Sequence, residues 1–104
     1  MTVFDYQKIN EIIHSRIRLA IMSVLVNIEE VDFTFLKQKV NTTDGNLSIH
    51  LSKLEKAEYI SVTKEFVEKK PRTSYRITKK GRTDFEAYIN HLEEIINSTA
   101  STED

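Results

Sequence analysis

Between Asn46 and Ser52 the chain reads NLSIHLS, a run suited to hydrogen bonding and small apolar contacts rather than to covalent chemistry. An asparagine amide donates and accepts together and so matches the N6 and N7 edge of adenine. Serine hydroxyls serve either partner, and an isoleucine suits a thymine methyl. Asn46, Ser48, Ile49 and Ser52 are therefore candidates for contact with base edges, with no arginine among them to read guanine. Further on, Lys64, Lys69, Lys70, Arg72 and Arg76 bring five cations into a short segment, a density that suits neutralisation of phosphates.

Other constellations carry less. Asp44, Ser48 and His50 contain the residue types of a hydrolytic triad. However, neighbours at i, i+2 on a helix diverge by about 200°, and no strained nucleophile elbow can be written around the serine. His50 lies about 60° off the centre of a leucine stripe and is expected to pack, bonded to backbone. His91 and Glu94 stand at i, i+3, a spacing that can hold zinc when further ligands join, but two ligands are not a site. There is no cysteine, which removes thiolate metal sites and cysteine nucleophiles, and the only glycines are Gly45 and Gly81. Neither of the common glycine-rich phosphate motifs fits two glycines so far apart. The expectation is a chain that is not an enzyme and that uses no cofactor and no metal.

The elements that must position these groups are legible from periodicity. Tyr6, Ile9, Ile12 and Ile13 predict a short amphipathic helix over Phe4 to Ile13. Ser15 caps a second helix, with Ile17, Ala20, Ile21, Val24, Leu25 and Ile28 inward and Arg16 and Arg18 outward. Val31 to Phe33 read as an extended link, and Asp32 or Thr34 starts a third helix with Phe35, Leu36 and Val40 as its apolar face. After the turn residues Asn41 to Gly45, Leu47, Leu51, Leu54 and Ala57 form the stripe of a fourth helix, over about 44–57. That stripe leaves Gly45, Ile49, Ser52, Lys53 and Lys56 outside, with Asn46 and Ser48 on the flanks.

YISVTKEFV and SYRIT then alternate as strands on either side of EKKPRT, giving a two-stranded hairpin with a long basic tip. Thr78 caps a last helix with Phe85, Tyr88, Ile89, Leu92, Ile95 and Ile96 on one side. The elements form a single unit over residues 1–97, and 98–104 are expected to be a disordered tail.

Two helices across a tight turn followed by a cationic hairpin have dimensions that suit double-stranded DNA. One exposed helix fits the major groove, and the hairpin, about 64–76, reaches the flanking backbone. Charge is distributed accordingly. Residues 1–40 are neutral, residues 41–82 carry a net +5 and residues 83–104 a net −6, so one surface can meet a polyanion while another is kept for a different task.

The stretches DFTFLKQKVNTTDGNLSIHLSKLEKAEYI and TKEFVEKKPRTSYRITKKGRTDFEAYI resemble winged helix-turn-helix transcriptional regulators of the MarR and ArsR type. The resemblance covers about Ile17 to Leu92. It implies an α+β, mostly α fold with a two-stranded wing. It marks Asp44, Gly45, Asn46, Ser48, Ile49, Ser52 and Lys53 as the recognition surface, and Lys70, Pro71, Arg72 and Thr73 as the wing tip. Ala57 and Glu58 depart from it, because the family has a glycine where this helix ends. The resemblance further implies a homodimeric regulator, read here as a repressor in preference to an activator. A cytoplasmic location is expected by default, since the start MTVFDYQKINEII lacks a basic segment followed by an apolar one.

The terminal helices are the expected dimerisation elements, since a monomer of this size would leave their apolar stripes partly exposed. The candidates are Ile9, Ile12 and Ile13 at one end and Tyr88, Leu92, Ile95 and Ile96 at the other. Phe4, Tyr6, Phe33, Phe35, Phe85 and Tyr88 could line a pocket for a small-molecule effector of unknown identity, although aromatics at helical spacing are more often core. No membrane partner is expected, because no apolar run approaches the roughly 18 residues needed to span a bilayer. The alternative function is a winged-helix module whose basic hairpin binds an acidic protein.

Overall fold

Ser15 ends the N-terminal segment and begins α1 (Arg16–Asn27), its side chain accepting from the Arg18 backbone N–H. The computed structural model describes residues 6–101, with side-chain surroundings for 7–97. After α1 come β1 (Val31–Asp32), α2 (Phe33–Val40), α3 (Asp44–Lys56), β2 (Ile60–Val67), β3 (Lys70–Ile77) and α4 (Lys79–Ser101). The architecture is α+β and mostly helical, as expected. α4 continues as helix past residue 97, into the segment expected to be a tail, and residues 102–104 lie outside the described residues.

Each helix starts where its sequence offers a cap. The Asp32 carboxylate accepts from Phe35 N at 2.8 Å, and Thr43 Oγ1 accepts from Asn46 N at 3.2 Å. Thr78 Oγ1 accepts from Gly81 N at 2.9 Å while donating to Glu58 O at 2.7 Å. Such caps satisfy backbone donors that the first helical turn leaves without partners. Asn41 closes α2 in the left-handed region, with φ 57°, which asparagine tolerates better than most residues.

α3 ends differently from the family pattern. Glu58 takes φ 64°; its N–H donates to Glu55 O, and Tyr59 N–H donates to Leu54 O. This is a Schellman closure, built on a glutamate where glycine would carry less strain.

The core draws on all four α-helices and the sheet. Ile13, Ile21, Met22, Leu25, Leu36, Leu47 and Leu54 are fully buried, and Tyr59, Ile60, Tyr75, Phe85 and Tyr88 join them. Gly81 allows α4 to start against the end of α3. A β-carbon there would lie 2.1 Å from Tyr59 O, closer than any packing can relieve without moving backbone.

Three expectations change. The predicted first helix is reduced, among the described residues, to a 3-10 turn at Tyr6–Lys8. Asn10 Oδ1 takes the backbone N–H groups of Ile12 and Ile13 at 2.9 and 3.0 Å, a local alternative that competes with helix. Phe4 and Asp5 lie outside the described residues.

Second, the sheet has three strands in the order β1-β3-β2, because the extended link pairs Val31 with Tyr75 and Asp32 with Ser74. Third, the hairpin tip is short. Val67 pairs with Lys70, so only Glu68 and Lys69 turn, with φ 53° and 66°, the two positive values that a two-residue hairpin turn of the favoured twist requires. Pro71 sits inside β3 opposite Phe66. Hydrogen-bonded and non-bonded pairs alternate away from the turn, so the missing N–H faces the side of β3 that β1 leaves uncovered at that level.

Candidate nucleic-acid interface

Leu47, Leu51 and Leu54 bury one side of α3, and the rest of its surface follows from that anchoring. Asp44, Gly45, Asn46, Ser48, Ile49, Ser52 and Lys53 are all exposed, so the candidate reading residues share one solvent-facing surface. Ile49 is 55% exposed, an isoleucine with no partner chain segment over it. Around Gly45 no atom lies within 4 Å of where a β-carbon would be. Nothing in the fold therefore demands glycine here, in contrast with Gly81. Asp44 is engaged, its carboxylate 2.7 Å from Lys37 Nζ, which ties α2 to the start of α3 across the turn.

Two residues that periodicity placed on the outside belong to this site's support. Arg18 turns back from α1. Its guanidinium donates to Ile12 O and Glu11 O, and Nη1 lies 2.8 Å from His50 Nδ1. A guanidinium can only donate, so Nδ1 accepts and the imidazole carries its proton on Nε2. His50 is therefore bonded to a side chain rather than to backbone as expected. Burial holds its pKa below the ordinary histidine value, and the charges of Arg18 and Lys53 push in the same direction. Arg16, expected only to be solvated, lines a hollow of about 340 Å³ with Asn41, Thr42 and Asn46. It thus places a cation beside the first turn of α3.

In the hairpin, Lys64, Lys69, Lys70 and Arg72 are exposed, and no ion pair joins them among the described residues. Thr73 is half-buried opposite Lys64. Arg76 stands apart from this group. It lies at the base of the sheet opposite Ser61, with its guanidinium 3.3 Å from Glu29 and 3.5 Å from Glu30, and so it holds the α1–β1 connection.

The terminal residues divide as well. Ile13 is fully buried and Tyr88 is 4% exposed within the chain's own core, with the Tyr88 hydroxyl 2.7 Å from His14 Nδ1. These two have no surface left for a partner. Ile9, Ile12 and Leu92 are partly buried against the same core, Ile95 is half-buried, and Ile96 is 66% exposed. The aromatics named as a pocket lining are found, among the described residues, in or against the core, as aromatics at helical spacing more often are. Phe85 and Tyr88 are core, and Phe33 and Phe35 pack against it from α2. Phe4 lies outside the described residues, as does the side chain of Tyr6. His91 and Glu94 gain no third ligand, since no group of three or more metal-binding side chains occurs among the described residues.

Residues 17–96 match the family described as winged helix DNA-binding domain. The chain belongs to that family. It is 38% identical over 82 residues to an uncharacterized protein of Methanocaldococcus jannaschii, covering 79% of this chain and 89% of that one. Its fold is similar to that of a transcriptional regulator homologue from Pyrococcus horikoshii, with TM-score 0.81 and 26% identity over 86% of this chain and 89% of the other. A MarR-family regulator from Silicibacter pomeroyi shares the fold at TM-score 0.66 and 13% identity, over 90% of this chain and 62% of that one. In the winged-helix fold α3 occupies the position of the second helix of the helix-turn-helix and β2–β3 that of the wing. Among the described residues no helix is long and apolar enough to cross a membrane.

Proposed function

We propose that this winged-helix protein is a sequence-specific regulator of transcription that binds double-stranded DNA as a homodimer and acts as a repressor. The observation that carries the reading is the exposed, firmly seated polar face of α3 beside a hairpin whose tip cations are unpaired among the described residues. Asn46, Ser48, Ile49 and Ser52 read base edges in the major groove. Gly45 lets the backbone approach closely, and Lys53 adds a cation. Lys64, Lys69, Lys70 and Arg72 neutralise phosphates beside the groove, and Arg16 holds one at the start of α3. Asp44 positions α3 through Lys37. This work needs no catalytic group.

The dimer reading rests on shape and exposure. The molecule measures 63 Å along its long axis and 25 and 21 Å across, and α4 carries Ile89 and Ile96 exposed, with Leu92 and Ile95 between them. A second α4 would cover this stripe, and the resulting two-fold would match a two-fold operator. Sedimentation at tens of micromolar should show dimers, with Leu92→Glu giving monomers; a monomeric wild type at that concentration contradicts this part.

DNA binding is tested by fluorescence anisotropy of a labelled random-sequence duplex across a salt series. The expected result is a linear fall of log K with log salt, from several phosphate contacts. Absence of binding at low salt, together with capture of an acidic protein, would establish the alternative module instead.

A further inference from the structure

Phe66 is 77% exposed, the most exposed of the large apolar side chains among the described residues. In register it lies on the same side of the sheet as Ile60 and Val62. The cross-strand pairs Ile60–Ile77, Val62–Tyr75, Lys64–Thr73 and Phe66–Pro71 share that face. The core ends beneath Val62 and Tyr75, however, and the two outer pairs extend beyond it. Phe66 and Pro71 thus form an apolar prow one pair from the turn. The hairpin reaches it over about 20 Å from Ile60, at about 3.4 Å per residue.

What surrounds the prow identifies its partner. Lys64 lies on the same face and Lys69 in the turn beside it, while Lys70 and Arg72 alternate to the opposite face of the ribbon. All four are exposed and none is in an ion pair among the described residues. An apolar ring inside a cationic collar suits a partner that is anionic outside and apolar inside. Duplex DNA has that form, with phosphates along the rim and stacked bases within. The minor groove next to the major groove read by α3 lies half a turn away, about 17 Å along the axis, within the reach of the hairpin. That groove is only about 6 Å wide, too narrow for the two-stranded ribbon but open to a single side chain projecting from the ribbon's face next to the turn.

We propose that Phe66 enters the minor groove flanking each half-site and wedges between base pairs, with Pro71 beside it on the neighbouring strand. Phenylalanine and proline are among the side chains that act as such wedges. Pyrimidine–purine steps unstack most easily, so the wing confers a preference for TA or CA steps at a fixed distance outside the sequence read by α3. This rests on the DNA-binding reading above and adds to it a position of specificity that no hydrogen bond supplies.

The test is parallel selection of duplexes from a random pool by the full-length wild type and by Phe66→Ala, with 2-aminopurine fluorescence at the flanking step of the selected duplex. Phe66 touches little of the fold, so Phe66→Ala should melt within about 2 °C of the wild type. The wild type is expected to enrich a flanking TA or CA step and to raise 2-aminopurine emission on binding. Phe66→Ala should keep the same half-site, lose the flanking step and the emission change, and bind the wild-type duplex about tenfold more weakly. Identical half-sites and flanks from both proteins, with no emission change, would overturn the wedge while leaving DNA binding intact. Failure of both proteins to enrich any duplex would overturn the DNA-binding reading itself, and the wedge with it.

Discussion

The face of α3 and the wing both meet solvent, yet they are held in opposite ways. α3 is capped by Thr43, closed by a Schellman turn, seated on three buried leucines and braced through His50–Arg18 and Asp44–Lys37. The outer wing rests on nothing; from Lys64 around the turn to Arg72 each of its side chains is exposed. Directional hydrogen bonds need fixed donors and acceptors, whereas attraction between a lysine and a phosphate survives several ångströms of freedom. In the DNA-binding function proposed above, the difference supports base reading by α3 and affinity from the wing cations, with Phe66 as the one wing group whose proposed contribution depends on position.

The largest expected effect comes from reversing the wing cations. Lys69→Glu, Lys70→Glu and Arg72→Glu together should weaken every duplex alike, on the order of a hundredfold or more at about 50 mM salt. The dependence of log K on log salt should flatten by about 0.9 for each phosphate that is no longer neutralised. An unchanged slope would remove these side chains from the interface and break the comparison. Ile49→Ala should instead cost about 1 to 3 kcal/mol at one base position and little on random DNA, measured by competition between duplexes.

Two substitutions at left-handed or open positions sharpen the contrast between fold and function. Glu58→Gly should stabilise the fold by up to about 1 kcal/mol, because glycine adopts the observed φ of 64° without penalty. The Glu58–Lys80 pair that it removes is exposed and 3.8 Å long, and so worth little. Denaturant unfolding measures the gain, and DNA affinity should not change. Gly45→Ala should also stabilise, by about 0.5 to 1 kcal/mol from helix propensity, since nothing obstructs a β-carbon there. Its DNA affinity should nonetheless fall. Unaltered affinity would show that the start of α3 stays clear of DNA.

The smallest effect is in pH. The folded pKa of His50 lies below its ordinary value, so as pH falls the unfolded chain binds the proton first. The stability that neutral His50 contributes is complete above about pH 6.5 and is lost as pH falls through the lower folded value. His50→Gln, which can still accept from Arg18 but does not titrate, should lose less stability than the wild type between pH 7.5 and 5.5 in thermal melts.

Much of this arrangement was legible in the sequence because its causes are local. Ser15 and Thr78 cap the helices expected of them, Asp32 rather than Thr34 caps α2, and Thr43 caps α3 from within the turn residues Asn41 to Gly45. The leucine spacing after Thr43 set which side of α3 faces out. What escaped depends on residues distant in sequence. Arg18 reaches His50 across 32 positions, and β1 pairs with β3 although α2, α3 and β2 lie between them in sequence. Arg76 looked like a wing cation until Glu29 and Glu30 were brought beside it by the fold. The hairpin tip escaped for a different reason: its two left-handed residues are glutamate and lysine, without the glycine or asparagine that marks such turns. Phe66 alternates correctly for a core strand, and only the point at which the core stops shows that it is exposed.

Sequence, on this account, is read by α3 and not by the charges around it. The direct test is a competition assay of wild type and Asn46→Ala against single-base variants of a duplex selected by the wild type, with random duplex as reference. Asn46→Ala should lose about 1 to 3 kcal/mol of discrimination at a single A·T position while binding random duplex as strongly as before. Equal loss on the selected and the random duplex would contradict the account, because α3 would then only position the protein on DNA.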